Sequence, residues 1–499
     1  MTRLLRPAAA LTALIGTASL GAWAVTSDPE PAPPPRVAVK VAAKPAALKC
    51  AVEPKPLSET VKKGLTFLAG GQQDDGGWTQ GGGWRTGAKG GERVEGQAVA
   101  DPSDVGNTCI VLLAFFRAGH TATEGDYKEV VKKGLKFVFD RVEKSDGKDL
   151  YVTDVRNTQL QSKIGPFADT FLATLMLSEL KGHAGPDDAR LAKCLDKALD
   201  KMAKNQQADG TFAGNGGWAP VLSQGVANKA LARARQNGAA VNDELIARAT
   251  TQSRAAAKGS EMAAAPAGRA DGKSGEIASA ASLASPGGAG FGGGGFGGGG
   301  GRPGGDAGVP LYGRGQASTN LQDVVNSANA DAAKAKEVLA DPKAPQAQKE
   351  AAKKTIDGAA NLNGENNLLQ NQVFKEAKDG RFVAGFGSNG GEEFLSFLNL
   401  SETMLVRGGK DWTDWDGKMQ ESLPKAQDKN GSWSGHHCIT GKTFCTASAL
   451  LVLMADRTKF PEDVLTAARE EAKKEAAKAA DEKKPEAKVP DAKKPDEKK

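Results

Sequence analysis

One turn is written three times into this chain. Gln72-x-x-Asp75-Gly76-Gly77-Trp78 is the first copy, Gln206-x-x-Asp209-Gly210-Thr211-Phe212 the second, and Gln427-x-x-Asn430-Gly431-Ser432-Trp433 the third. Asp or Asn before Gly makes a tight turn, because Gly takes φ > 0 without steric cost. The Gln is expected in the last turn of the preceding helix, where its amide can bond free backbone groups. The aromatic is expected to pack over the turn. A motif repeated in equivalent contexts predicts a repeat architecture, with each copy clasping one helix end to the next unit. A second repeat, Val61-Lys62-Lys63-Gly64-Leu65 and Val131-Lys132-Lys133-Gly134-Leu135, points the same way.

The segments between the turns carry helical periodicity. Leu57–Leu68 puts Val61, Leu65 and Leu68 on one face, and 130–142 and 191–202 are amphipathic in the same way. Residues 107–117 and 167–180 are apolar nearly all round, as in a buried helix. No period-2 strand run stands out, so the expected fold class is all-α. The helices after the turns also look alike: Thr108-x-x-Val111-Leu112-Leu113-Ala114, Thr170-Phe171-Leu172-Ala173-Thr174-Leu175 and Thr446-Ala447-Ser448-Ala449-Leu450-Leu451.

The flanks read differently. Arg3 and Arg6 precede an apolar stretch from Ala8 to Val25, with Ala22 and Ala24 placed for a cut after Ala24. Residues 1–24 are therefore a secretory signal peptide or, uncleaved, a membrane anchor, and the protein is expected to be exported. Residues 25–56 are a Pro-rich tether. Gly/Ala-rich sequence at about 257–308 is expected to be a disordered insertion, and 462–499 a charged disordered tail. Of 499 residues, 62 are Gly and only 5% are aromatic. The net charge of +6 is too diluted to indicate a nucleic-acid partner. A membrane is expected as partner only through an uncleaved N-terminal segment.

The turn followed by a Thr-Ala-x-Ala-Leu helix resembles the prenyltransferase and squalene-oxidase repeat of the terpenoid cyclase and protein prenyltransferase superfamily, squalene-hopene cyclases included. The resemblance covers about residues 57–256 and 309–456. It implies an α/α toroid over 57–461, with six hairpins setting inner helices around a cavity. The expected pairs are 57–69 with 104–118, 127–143 with 166–180, 188–205 with 220–237, 242–256 with about 310–338, about 345–375 with 390–408, and 411–428 with 440–456. Class II cyclases of this superfamily protonate an alkene or epoxide with the middle Asp of Asp-x-Asp-Asp-Thr-Ala. The matching stretch here is Pro166-Phe167-Ala168-Asp169-Thr170-Phe171, with Ala168 where the proton donor would stand. Asp169 remains as a catalytic candidate or, alternatively, a helix N-terminal hydrogen-bonding residue.

Other candidates are local. His436, His437, Cys438 and Cys445 have the donor types for a metal, and protein prenyltransferases hold zinc on Asp, Cys and His; a Cys438–Cys445 disulfide or free thiols are the rivals. Zinc there is the one cofactor considered, and none is otherwise expected. Trp84 and Trp218, on loops at the turn end, are candidate stacking platforms or packing residues. Glu392 and Glu393 would face the ring's mouth. These features predict an exported binding or scaffold toroid for a lipid, peptide or glycan. The alternative is a diverged enzyme of the same superfamily acting on an isoprenoid-like substrate.

Overall fold

The computed structural model describes residues 48–83, 100–264, 309–470 and 473. The N-terminal segment 1–24, Trp84 and most of the Gly-rich insertion lie outside the described residues, as does most of the tail. What is described is mostly α-helical, as the periodicity predicts. The helices are α1 (Glu59–Gly70), α2 (Val105–Arg117), α3 (Lys128–Lys144), α4 (Gln159–Ile164), α5 (Ala168–Glu179), α6 (Asp188–Asn205), α7 (Pro220–Gln236), α8 (Asp243–Ala264), α9 (Pro310–Ala340), α10 (Gln346–Glu376), α11 (Gly380–Val383), α12 (Gly391–Arg407), α13 (Gly409–Lys425) and α14 (Lys442–Leu453). No helix among the described residues is long and apolar enough to cross a membrane.

Two kinds of helix alternate. α2, α5, α12 and α14 are buried on nearly every face, while α1, α3, α6 and α13 bury one stripe. The buried ones, with α7 and α9, touch in a cycle: α2 on α5, α5 on α7, α7 on α9, α9 on α12, α12 on α14, and α14 back on α2. The amphipathic helices lie outside them. Of the expected hairpin pairs, α8 with α9 and α13 with α14 are in contact, and three others need correction. α3 packs on α2, α6 on α5 and α10 on α9, so these outer helices lie against the inner helix that precedes them. The connections explain it. The inner-to-outer loops are short, whereas the outer-to-inner connections are longer in sequence, and short connections keep neighbours together.

The three repeated turns share one geometry. In each, the Asx side chain accepts the N–H two residues on: Asp75 from Gly77 at 3.0 Å, Asp209 from Thr211 at 3.0 Å, Asn430 from Ser432 at 3.1 Å. Gly76, Gly210 and Gly431 have φ of 87°, 85° and 91°. The aromatics Trp78, Phe212 and Trp433 are buried. Trp78 and Trp433 donate through Nε1 to Leu68 O and Leu423 O, at 2.6 and 2.8 Å, on the helix just ended. Their backbone N–H groups donate to Thr108 and Thr446 of the following inner helix, at 3.0 and 2.9 Å.

The glutamines stand at or just past the helix end, not in its last turn as expected, and they reach outward. Gln72 Nε2 donates to Gly76 O within the turn and to Val130 O on α3, both at 2.9 Å. Gln427 Nε2 does the same with Gly431 O and Thr60 O on α1, both at 2.9 Å. A Cβ on Gly76 would lie 2.5 Å from Lys133 O, and one on Gly431 2.5 Å from Lys63 O. The two Val-Lys-Lys-Gly-Leu copies are thus the surfaces onto which two of the turns dock. The last turn docks on the first helix.

Three boundaries shift. Residues 48–50, expected in the tether, form strand β1 (Leu48–Cys50), antiparallel to β2 (Lys459–Pro461) with Lys49 opposite Phe460. Residues 462–470, expected in the disordered tail, are helical, because Val464 and Leu465 bury against the core. α8 runs to Ala264, past the expected insertion boundary at 257, with Ala257 and Ser260 buried. In each case a few apolar or small residues find a distant partner that composition does not reveal.

Candidate functional site

At the N-termini of α12 and α14 the chain brings together groups from three segments. The two helices meet closely because Gly391 has no side chain: a Cβ there would lie 2.6 Å from Ile439 Cγ2. The Gly391 N–H donates to Ile439 O at 2.9 Å, tying α12 to the loop that holds the His-His-Cys run. Glu393 folds back to accept the Gly390 N–H at 2.8 Å, and the Phe386 N–H at 3.0 Å, and it also accepts Tyr312 OH from α9. Glu392 Oε2 accepts the Ile439 N–H at 3.2 Å. His437 Nε2 sits 2.7 Å from Ser388 O, which can only accept, so this nitrogen carries the proton. The same nitrogen is 3.2 Å from Glu393 Oε2.

Two polar atoms are left over. Glu392 Oε1 and His437 Nδ1 are buried with no hydrogen-bond partner among the described residues. Both residues belong to one cluster with Cys438, whose ligand atoms all lie within 4.8 Å of one another. Cys438 is half-buried and holds φ of 49°, a left-handed conformation that non-glycine residues adopt sparingly. Burial, and then the Glu393 charge, raise Glu392 to about 7. Burial opposes a charge on His437, but the adjoining Cys438 thiol and Glu393 carboxylate outweigh it and raise the ring to about 11. Burial also raises Cys438, against the pull of the His437 ring.

The group of potential donors that the fold brings together differs from the one expected. His437 and Cys438 belong to it. His436 is exposed and contributes only its backbone N–H, to Asn389 O at 2.7 Å. Cys445 is buried with its thiol 3.4 Å from Ile439 O, and the five cysteines are free, so no Cys438–Cys445 disulfide forms in this structure. Glu392 supplies a third donor, which spacing could not show because it lies on another helix. Glu392 and Glu393 are also not exposed at a mouth: both are buried, since the α12–α14 contact closes over them. Beside the cluster lie two exposed rings, Trp218 (37% exposed) and Phe386 (51%), with centroids 5.7 Å apart and edge to face. Phe386 is 5.1 Å from the His437 ring. Trp218 thus packs edge to face on Phe386, a partner the sequence had not singled out.

Asp169 is placed as a tie between helices. It accepts the Gly106 N–H of α2 at 2.9 Å and Gln161 Nε2 of α4 at 2.8 Å. Its neighbour Asp104 caps α2, accepting the Asn107 N–H at 2.7 Å. Burial, and then the Asp169 charge, raise Asp104 to about 8. Neither carboxyl lines the small space between the inner helices.

That space lies between Leu113, Leu172, Val226 and Leu451 and amounts to about 20 Å³. One water needs roughly 10–15 Å³. Its far side is charged. Arg117 bonds Glu179 at 2.6 Å and Glu402 at 3.1 Å; Lys229 bonds Glu402 at 2.6 Å and Asn399 at 2.9 Å. Arg233 reaches Glu402 at 3.5 Å and stacks 4.5 Å over Phe460 of β2. The only sequence signal for this cluster is charge in otherwise small or apolar runs, such as Glu402 within Phe394–Leu405.

A scan against protein-family models found no match, and neither the curated proteins nor the solved structures gave a similar chain.

Proposed function

We propose that this chain is an exported α/α toroid of the prenyltransferase and squalene-cyclase repeat type that acts as a binding or scaffold protein, not as a cyclase. The toroid reading is supported by the cycle of six inner helices and by two turns that each dock on the next outer helix, the last of them on the first. The observation that carries the functional reading is the pocket between Leu113, Leu172, Val226 and Leu451, whose 20 Å³ among the described residues has room for about one water and not for an isoprenoid chain. The chemistry agrees. Ala168 replaces the proton donor of the class II cyclase motif, and Asp169 is committed to Gly106 and Gln161. Binding then belongs to the rim, where Trp218 and Phe386 expose apolar ring surface beside His437. A peptide or glycan suits stacked, partly wet aromatic rings better than a fully sequestered lipid does.

The test is extraction of the purified protein and lipid mass spectrometry, alongside a peptide and glycan array read with wild type and Trp218→Ala. The expected result is no stoichiometric isoprenoid and an array signal that Trp218→Ala abolishes. A stoichiometric isoprenoid, or turnover of one, would overturn the reading in favour of a diverged enzyme.

A further inference from the structure

The rim cluster holds an arrangement that hydrogen bonding within the chain does not account for. Buried polar atoms are nearly always paired, and an unpaired one in a native structure calls for a missing partner such as a water or an ion. Glu392 Oε1 and His437 Nδ1 are both orphaned, both buried, and both in one cluster with the Cys438 sulfur. Each of the two residues spends its other polar atom on the backbone. Glu392 Oε2 takes the Ile439 N–H at 3.2 Å, and His437 Nε2 faces Ser388 O at 2.7 Å. The second contact fixes the tautomer. A cation that displaces the ring's second proton leaves the Nε2 proton on Ser388 O and frees the lone pair on Nδ1, and a ring nitrogen opposite a carbonyl-bound N–H is the usual disposition of a metal-ligating histidine.

We propose that Glu392 Oε1, His437 Nδ1 and Cys438 Sγ bind one divalent cation of the zinc type. The donor chemistry selects the ion. A thiolate with an imidazole suits zinc and its borderline-soft neighbours, whereas magnesium and calcium take oxygen donors. Bonds of about 2.0–2.3 Å around a tetrahedral centre set ligand atoms roughly 3.3–3.8 Å apart. One donor atom of each of the three residues lies within 4.8 Å of the others, and side-chain adjustment closes the remainder. The frame behind them is rigid. Gly391 seats α12 against Ile439, and Glu393 locks Gly390 and Phe386. Three protein donors leave the fourth position to water or to a donor atom of a bound ligand. Solvent reaches it past the half-buried Cys438, beside the exposed rings of Phe386 and Trp218. The proposal rests on this cluster alone and does not depend on the toroid or binding-protein reading.

The test uses the full chain, stripped with a chelator and kept reduced. Zinc is titrated in and counted by elemental mass spectrometry after dialysis. Cobalt(II) is added separately and its absorption spectrum recorded. One zinc per chain is expected, with a sulfur-to-cobalt charge-transfer band and the intense visible bands of a four-coordinate ion. Glu392→Gln, His437→Ala and Cys438→Ser should each weaken zinc by at least the ~10–100-fold that loss of an outer-shell partner costs. Cys438→Ser alone should remove the charge-transfer band, while His436→Ala and Cys50→Ser should change nothing. Wild type supplies a readout that needs no variant: zinc should protect Cys438, and not Cys50, from alkylation, read by peptide mass spectrometry. Less than one zinc per chain, a charge-transfer band that survives Cys438→Ser, or equal alkylation of Cys438 with and without zinc would each overturn the proposal.

Discussion

Replacing Gly431 with Ala tests the claim that the repeated turns hold the helices together. Gly431 has φ of 91°, a conformation that costs a residue with a Cβ about 1–2 kcal/mol. The added methyl also has nowhere to go. It would lie 2.5 Å from Lys63 O and 2.8 Å from Lys63 C, both backbone atoms of α1. Relief requires the turn to lift off α1, which strains the Gln427 bond to Thr60 O at 2.9 Å and the seat of Trp433. Overpacking of this kind costs about 1–3 kcal/mol. Lower entropy of the unfolded chain returns about 0.4–1 kcal/mol. The net expectation is a loss of about 1–5 kcal/mol. Gly76→Ala should match it, since its Cβ would meet Lys133 O at the same 2.5 Å. Gly417→Ala is the control: it sits within α13 with nothing within 4 Å of its Cβ, and should stabilise by roughly 0.5–1 kcal/mol. The assay is urea unfolding of the full chain followed by circular dichroism and tryptophan fluorescence. If Gly431→Ala unfolds at the wild-type midpoint, or shifts no more than Gly417→Ala, the docking argument is wrong.

Further outcomes follow from the buried charges. Asp104 has its carboxyl raised to about 8, so the folded state keeps a proton that the unfolded state releases above about 4. Its contribution is fully present below the ordinary carboxylate range and is lost as pH rises toward 8. Asp104→Asn, which keeps a capping side chain, should flatten that decline, seen as a growing stability advantage over wild type in unfolding curves from pH 5 to pH 8; a parallel decline would count against a proton on Asp104. Glu402 lies the other way. Burial disfavours its charge, but Lys229, Arg117 and Arg233 outweigh burial and hold it well below the ordinary range. Its contribution is present above that range and lost as pH falls through its folded value. Glu402→Ala strands buried cations and should cost about 3–5 kcal/mol near neutral pH; a loss under 1 kcal/mol in the same unfolding assay would show that they find other partners.

What local chemistry controls was legible in the chain. The Asx-Gly turns depend on φ at one position and on a hydrogen bond spanning two residues, so three copies could be read directly. Helical periodicity likewise separated the buried helices from the amphipathic ones, because a helix repeats every 3.6 residues whatever surrounds it. His437 and Cys438 were visible as donors for the same reason: they are adjacent.

Position across the fold was not legible. Glu392 joins His437 and Cys438 only because Gly391 lets α12 approach Ile439, and nothing in the 47 intervening residues marks that contact. Charge composition hid the helix at 462–470, and a Pro-rich label hid β1, because each is ordered by a partner far along the chain. The sequence by itself determined the turns, the helices and the alternation of their faces, which are short-range consequences of backbone geometry and apolar spacing. Only the tertiary structure decided which outer helix lies on which inner one, how small the pocket beside Leu113 and Leu451 is, and that Glu392 comes beside His437 and Cys438. Those depend on packing between segments, and packing is settled by volumes and backbone approach that no local pattern encodes.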